Sequence, residues 1–361
     1  MKILQDLTIA ELKELLEGMG EKPYRAEQIF RGLAQGKKIS EITDISKALR
    51  EKLLEEYADA AVEIIEIKTS KIDETKKLLF RLHDGNVIEG VVMKYKYGNT
   101  QCVSTQVGCR MGCAFCASGI GGLVRNLTAG EIYSEIIAVN RLLGGTPEKR
   151  QVTNVVLMGS GEPLDNYDNT VKFIRLLSCD KGLNVSPRNV SLSTCGLVPN
   201  IYKLADEGLD VNLTVSLHNP FDERRKELMP IANKYKVSEI LDACANYFEK
   251  TGRRYIFEYS LVKGLNDGRE CADELIKLLR GRPCHINLIR LNGVKEKHLK
   301  ATSDKDAYRF LGLLEKGGLS ATVRRQMGVD IDGACGQLRR KFLKTEENIS
   351  EQRQNNQNSI G

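Results

Sequence analysis

From about residue 100, the sequence alternates between short apolar runs typical of β-strands and longer segments with helical periodicity. The apolar runs cover residues 102–107, 152–158, 189–193, 211–217, 255–262 and 285–289. The helical segments between and after them cover residues 129–143, 170–177, 198–207, 237–251, 268–279 and 303–316. Such alternation predicts a parallel sheet with right-handed crossovers. Six strand–helix units and a final short strand at 321–324 favour an α/β fold with a partial (β/α)6 barrel over a closed eight-stranded one.

The first 99 residues predict two smaller units. Residues 1–70 read as a helical domain, in which Thr8 is the N-cap of a helix and Glu11 completes a capping box. Residues 71–99 predict a hairpin extension, because apolar runs flank the tight-turn sequence 83–86. The basic residues of the first unit could rest on RNA phosphates, although a packing appendage explains them equally well. The predicted barrel then occupies 100–344, and the polar tail at 345–361 is predicted to be disordered.

Composition restricts the cellular setting. The 54 Lys and Arg residues exceed the 48 Asp and Glu residues, and the net charge of +6 permits a polyanionic partner without requiring one. The first ten residues lack the apolar stretch of a signal peptide, and no segment approaches the ~18 apolar residues of a membrane span. We therefore expect a cytoplasmic protein. In that reducing compartment, its ten cysteines favour metal or catalytic roles over a disulfide scaffold.

Three cysteines, Cys109, Cys113 and Cys116, lie within eight residues directly after a predicted strand. Three thiolates on one short loop can bind three irons of a cubane cluster and leave the fourth iron open for a substrate ligand. The alternative is a zinc knuckle. Structural zinc sites usually close with four ligands, and no fourth Cys or His lies nearby in the sequence.

Polar residues follow several predicted barrel strands, at the edge where barrel active sites form. Gly161 and Glu162 come after the second strand, and Glu162 could pair with a ligand ammonium group. Comparable polar groups end the later strands: Ser193, Ser216, His218 and Asn292. Together they predict a ring of hydrogen-bonding groups around the barrel opening.

The Cys-x3-Cys-x2-Cys spacing resembles the signature of the radical-SAM superfamily. This resemblance implies a partial (β/α)6 barrel and a 4Fe–4S cluster held by Cys109, Cys113 and Cys116. It also implies that S-adenosylmethionine (SAM) chelates the open iron and is cleaved to methionine and a 5′-deoxyadenosyl radical.

A larger set of motifs is similar to the RlmN family of dual-specificity RNA methyltransferases, over residues 2–342. The matching segments are 88–90, 102–109, 161–163, 216–218, 228–230 and 330–338. One departure is Gly333, where the family more often has Ala. This resemblance implies methylation of carbon 2 of adenine in 23S rRNA and in tRNA, with two SAM molecules per turnover. It also implies a flavodoxin or ferredoxin as electron donor, and we expect a monomer.

The same resemblance assigns individual roles. Cys335 would accept a methyl group from one SAM, and a radical derived from the second would activate that methyl for addition to carbon 2. Glu89 would act as general base for the proton lost from carbon 2. Cys102 would attack the sulfur of Cys335, forming a transient disulfide that releases the methylated base. The expected SAM contacts are Gly161, Glu162, Ser193, Ser216, Leu217, His218 and Asn292.

Phosphate contacts would help to hold the RNA while the adenine leaves its stack. The candidate basic residues are Arg25, Arg31, Lys37, Lys38, Arg324, Arg325, Arg339, Arg340 and Lys341.

Two alternatives remain open at this stage. A sister activity methylates carbon 8 of the same kind of adenine and shares the cluster and both cysteines, but segment 88–90 favours carbon 2. A second alternative is a non-catalytic RNA-binding protein with a structural metal site.

Overall fold

The computed structural model describes residues 1–291, 299–331, 338, 339 and 342. Its helices are α1 (Ile9–Gly18), α2 (Arg25–Ala34), α3 (Lys47–Glu56), α4 (Ala129–Leu142), α5 (Tyr167–Leu177), α6 (Val198–Ala205), α7 (Asp222–Leu228), α8 (Val237–Thr251), α9 (Arg269–Leu279) and α10 (Asp304–Lys316). Its strands are β1 (Val62–Thr69), β2 (Lys76–Leu82), β3 (Val87–Tyr95), β4 (Gly98–Cys102), β5 (Gln106–Gly108), β6 (Leu123–Asn126), β7 (Val152–Leu157), β8 (Val190–Thr194), β9 (Asn212–Ser216), β10 (Tyr255–Leu261), β11 (Cys284–Arg290) and β12 (Ala321–Val323).

The N-terminal helices form a unit that docks on the larger domain. The predicted capping box of α1 is confirmed: the Thr8 N–H donates to Glu11 Oε2 at 2.7 Å, and the Glu11 N–H donates to Thr8 Oγ1 at 3.3 Å. The Gly130 N–H at the start of α4 donates to Asp6 Oδ1 at 2.6 Å. Lys172 of α5 forms an ion pair of 2.7 Å with Glu11. These contacts fix the helical unit against the first helices of the barrel.

Ten of the described strands form one sheet, in the order β1-β2-β3-β4-β7-β8-β9-β10-β11-β12. The first four are antiparallel, and the pairs from β4 to β12 are all parallel. The α/β class and the partial barrel are therefore confirmed. The turn at 83–86 joins β2 to β3 as predicted. The structure adds β1, at residues that the sequence analysis placed in the helical unit.

The first barrel strand differs from its prediction. We expected it at 102–107, but β4 ends at Cys102, and Gln106–Gly108 forms a separate strand that pairs with β6. The reason lies in buried polar residues: Gln101 is fully buried and donates from Nε2 to the carbonyl of Glu135 on α4 at 2.9 Å. A strand that buries polar side chains such as Thr100 and Gln101 has no apolar pattern to reveal it. Consequently, Cys102 lies at the carboxyl end of its strand.

The hairpin has two differently covered faces. Leu78, Phe80 and Ile88 belong to the main core, which also includes the apolar side of α4. The opposite face has Leu79 and Val87, which pack against the C-terminal residues Leu338 and Phe342. The hairpin therefore extends the barrel wall and presents its second face to the C-terminal segment. Within the described parts of the chain, no helix combines the length and apolarity required to cross a bilayer.

Candidate active site

The three-cysteine loop connects β5 to β6, and its ends are closed by backbone contacts. The Cys109 N–H donates to the carbonyl of Gly122 at 2.9 Å. Gly108, at φ +81°, makes this closure possible, because a Cβ there would lie 2.0 Å from the Gly122 oxygen. The Cys116 N–H donates to the Cys113 carbonyl at 3.2 Å, which bends the loop back on itself. The tight turn brings all three predicted cluster ligands onto one loop.

The thiols of this loop interact electrostatically. Burial, together with the neighbouring cysteines and Glu162, raises the pKa of Cys109 to about 11 and that of Cys113 to about 12. Among the described residues, no three His, Cys, Asp or Glu side chains converge closely enough to hold a single metal ion. A cubane does not need such convergence, because each thiolate binds a different iron. The donor set therefore fits an iron–sulfur cluster, which would take up the thiols as thiolates.

The Gly-Glu turn after β7 packs directly against β5. Gly161 has φ +110°, and a Cβ there would lie 2.7 Å from both N and Cβ of Gln106, so only glycine fits. The buried carboxylate of Glu162 accepts hydrogen bonds from the N–H of Leu164 (3.0 Å) and of Cys195 (2.7 Å). Burial raises the pKa of Glu162 in spite of these two donors. Its charge influences Cys109 and Cys113, which places it beside the cluster loop.

The ends of the next strands meet around an acidic residue that the sequence analysis missed. Glu258 of β10 pairs in register with Ser216 of β9. Burial raises the pKa of its carboxyl group, although Arg324 and a hydrogen bond from Ser193 of β8 lower it. Its carbonyl accepts the N–H of Leu217 at 3.0 Å, and Arg324 Nη1 lies 3.3 Å from its carboxylate. Three of the predicted SAM contacts therefore surround Glu258. An acidic residue within the apolar run 255–262 was the available signal.

His218 is held in an unusual conformation under the cluster loop. It is buried with φ +57°, a region that residues other than glycine seldom occupy. Its Nδ1 accepts the Ser260 N–H at 3.0 Å, so the neutral ring has its proton on Nε2. Burial lowers its pKa to about 3. The ring lies edge-on to Phe115 of the cluster loop, with 4.7 Å between centroids.

Glu89, the predicted general base, is buried on the second face of the hairpin. Lys77 Nζ lies 3.3 Å from Glu89 Oε2, and both side chains are shielded from solvent. The Glu89 carbonyl accepts the hydroxyl of Ser104 at 2.8 Å. At the next residue, a Cβ on Gly90 would lie 2.7 Å from the Phe80 ring, so a larger residue would push β3 away from the core.

Cys102 lies on the same face as Glu89. It pairs in register with Val91, two residues along β3 from Glu89. Its side chain belongs to a cluster with Met93 and Val91, against which Met158 and Met327 pack. The structure thus places the proposed general base and the proposed disulfide-forming cysteine on adjacent strands.

The chain before and after segment 332–337 contacts the antiparallel strands or the turn between β1 and β2. The Ser70 hydroxyl and the Lys71 N–H donate to the Asp330 carboxylate at 2.6 and 2.9 Å. The Arg339 N–H donates to Glu89 Oε1, and Leu338 packs on β2 and β3. Some sequence-based assignments lie outside the described residues: Cys335, Asn292, Arg340, Lys341 and the tail at 345–361.

Several basic residues proposed to contact RNA make contacts within the protein. Arg25 pairs with Glu21 at 2.8 Å, and Arg324 pairs with Glu258. Arg339 Nε donates to the Val87 carbonyl at 2.6 Å. Arg31 and Lys38 are exposed and remain available to a polyanion.

Two family models match the chain. Residues 103–279 match the radical SAM superfamily, and residues 3–58 match the N-terminal domain of ribosomal RNA large subunit methyltransferases. The two matched segments correspond to most of the barrel and to the docked helical unit.

The similar proteins can be aligned with nearly the full length of this chain. A probable dual-specificity RNA methyltransferase RlmN of Clostridium perfringens is 53% identical over 347 residues, which is 96% of this chain and 99% of that protein. The protein of the same description from Lachnospira eligens is 50% identical over 345 residues, with 95% and 97% covered. The crystal structure of a radical SAM methyltransferase from Sphaerobacter thermophilus is 42% identical and has a TM-score of 0.89, over 93% of this chain and 99% of that one.

Proposed function

The chain belongs to the RlmN family of radical-SAM RNA methyltransferases, and on that premise we propose that it methylates carbon 2 of adenine in 23S rRNA and in tRNA. The methyl group would pass through Cys335. The observation that supports this best is the arrangement at the hairpin. Glu89 and Cys102 share one face. Before segment 332–337, Asp330 accepts hydrogen bonds from the turn between β1 and β2, and after it the Arg339 N–H donates to Glu89.

The cofactor assignments rest on the geometry of the cluster loop and the strand ends. Cys109, Cys113 and Cys116 would hold the 4Fe–4S cluster. When bound, the cluster and SAM supply a 5′-deoxyadenosyl radical. The surrounding residues would bind and orient SAM: Gly161, Glu162, Ser193, Ser216, Leu217, His218 and Asn292. Burial of Glu162 and His218 excludes water from this region and strengthens the polar contacts that remain.

The chain's own residues would perform the methyl relay. The Cys335 thiolate displaces S-adenosylhomocysteine from one SAM, forming an S–CH3 bond as the sulfonium S–C bond breaks. A second SAM is consumed in activating that methyl group, which gives two SAM molecules per turnover. Glu89 accepts the proton that leaves carbon 2. The Cys102 thiolate then attacks the Cys335 sulfur, and an S–S bond forms as the bond between that sulfur and the methylene carbon breaks. The electron pair of the broken bond goes to the carbon, which takes up a proton and becomes the new methyl group.

We propose that the helical unit and the hairpin help to hold the RNA. Arg31 and Lys38 are exposed on the helical unit. We further propose that the protein is a cytoplasmic monomer. A flavodoxin or ferredoxin would supply the electrons, since the cluster must be reduced before SAM is cleaved.

The test is the position of the new methyl group. Anaerobically reconstituted full-length protein is incubated with SAM, dithionite and either a 23S rRNA fragment or a tRNA, and RNA nucleosides are identified by mass spectrometry against standards. We expect 2-methyladenosine from both RNAs, and none with Cys335→Ala. Formation of 8-methyladenosine would assign the chain to the sister activity instead.

A further inference from the structure

Arg225 is a fully buried cation at the inner side of α7. Within the described part of the chain, no carboxylate forms an ion pair with it. Burying an unpaired charge costs several kcal/mol. A guanidinium in this position therefore requires a negative partner or a strong structural reason.

Its hydrogen bonds supply only part of that reason. Nε donates to the Leu217 carbonyl at 3.0 Å, and Nη2 donates to the carbonyls of Cys195 (2.9 Å) and Ser216 (3.1 Å). These bonds join the ends of β8 and β9. Nη1 is buried without a hydrogen-bond partner among the described residues. Neutral carbonyls also leave the net positive charge in place.

The cluster loop packs against the end of α7 and is the candidate for the missing negative charge. The Ala114 N–H of that loop donates to the Leu228 carbonyl at the end of α7, at 2.8 Å. Cys113 packs in the same apolar cluster as Cys195 and Leu228. The thiols of Cys113 and Cys195 both interact electrostatically with Arg225. Its other titratable neighbours are His218, which burial keeps neutral, and Asp222, whose carboxylate accepts the Val237 N–H at 2.7 Å.

We propose that Arg225 supplies the buried positive charge that balances the thiolate-bound cluster and raises its reduction potential. This inference rests on the proposed assignment of Cys109, Cys113 and Cys116 as cluster ligands. Reduction adds one electron, and hence one negative charge, to a group that already has three thiolate ligands. A nearby cation in a low-dielectric region stabilises the reduced form more than the oxidised form.

The charge effect can be separated from the structural one by paired substitutions. Arg225→Gln removes the charge, and Arg225→Lys keeps it while losing the planar fork. The matched control is Arg224→Gln: Arg224 is the adjacent residue on α7, is 41% exposed and pairs with Glu270 at 3.0 Å. Full-length proteins are reconstituted anaerobically, and the cluster is titrated with dithionite and redox mediators while its EPR signal is followed.

We expect the midpoint potential of Arg225→Gln to become more negative, and those of Arg225→Lys and Arg224→Gln to stay close to that of the unmutated protein. Iron content per chain confirms that the samples are comparable. An unchanged potential in Arg225→Gln overturns the proposal. It is also overturned if only the affinity for SAM falls, because Nη1 would then serve the SAM carboxylate.

The unmutated protein provides a test that does not depend on the variants folding. Protein labelled with guanidino-15N arginine is reduced, and pulsed EPR is used to detect 15N coupled to the cluster. The Arg110→Lys background removes the arginine of the cluster loop itself, whose side chain is exposed and pairs with Asp165. We expect the coupling to persist in that background, and its absence overturns the proposal. The potential does not depend on which adenine carbon is methylated, so failure of the carbon-2 assignment is recognised separately.

Discussion

Lys77 Nζ lies 3.3 Å from Glu89 Oε2, and both side chains are buried on the same face of the β2–β3 hairpin. Leu79 is the residue directly opposite Glu89, so Lys77 reaches Glu89 diagonally across the two strands. A carboxylate proposed to accept a proton from the substrate is thus paired with an ammonium group before any substrate arrives.

This ion pair predicts that the Lys77→Met variant loses more free energy of unfolding than the double variant that also removes the Glu89 charge. Lys77→Met leaves Glu89 buried without its cation, and we expect the free energy of unfolding to fall by about 3–5 kcal/mol. Adding Glu89→Gln should restore part of that loss, although it should abolish methylation. Urea denaturation measures the effect, with Lys76→Met on the same strand as the control for a partly exposed lysine. Strictly additive losses would contradict the coupling.

Cys102→Ala should trap the enzyme on its RNA. Without the thiolate that attacks Cys335, the bond between the protein and the base persists. We expect a covalent adduct that resists denaturation and appears in intact-mass spectra at close to one RNA per active chain. Cys179→Ala, a half-buried cysteine outside the site, should form no such adduct. A fully active, adduct-free Cys102→Ala protein would rule out the disulfide step.

Acid should destabilise the fold through His218. Its pKa is about 3 in the folded protein, whereas an unfolded histidine titrates near 6.5. The unfolded chain therefore binds a proton that the folded chain does not bind. The free energy of unfolding consequently decreases as the pH falls below about 6.5. The expected slope from this residue is about 1.4 kcal/mol per pH unit.

His218→Asn is the informative variant, because asparagine tolerates a left-handed backbone better than most residues. Urea denaturation of iron-free protein between about pH 7 and about pH 5 should show a shallower pH dependence in the variant. Equal slopes for both proteins would mean that His218 is protonated in the fold.

Glu162→Gln should weaken the Gly-Glu turn although the shapes are similar. Both carboxylate oxygens accept backbone N–H groups, and an amide can accept with only one end. We expect a loss of about 1–3 kcal/mol in the free energy of unfolding. SAM affinity, measured by equilibrium dialysis with the reconstituted protein, should also fall. Glu148→Gln, at an exposed position, should change neither quantity.

Much of the architecture could be predicted because its signals are local. The capping box at Thr8, the turn at 83–86 and the barrel strands from β7 to β12 depend on short-range periodicity and turn chemistry. β1 was missed because the consecutive Ile64 and Ile65 interrupt the alternation of apolar and charged residues, at the point where its pairing with β2 shifts register. β4 was displaced because buried polar residues hide it.

Only part of the candidate site could be predicted from the sequence. The cysteine loop and the Gly-Glu turn are short motifs with a mechanism, so the sequence exposes them. Lysine and arginine are usually exposed, so nothing in the sequence marks Lys77 or Arg225 as buried. Arg225 also directly follows Arg224 in a strongly charged helix. Only the tertiary fold decides which of two adjacent arginines is enclosed, because that choice depends on how α7 packs against the ends of β8 and β9.

β4 connects the antiparallel and the parallel parts of the sheet, since one edge pairs antiparallel with β3 and the other pairs parallel with β7. Sliding this strand by a single residue would turn the Cys102 sulfur from the Met-lined face toward the helices. A one-residue insertion in this strand would also move the buried Gln101 away from its hydrogen bond to Glu135, so it should be tolerated less well than an insertion in a surface loop. The register of this strand, and not only the chemistry of its side chains, therefore decides which face of the sheet the Cys102 sulfur occupies.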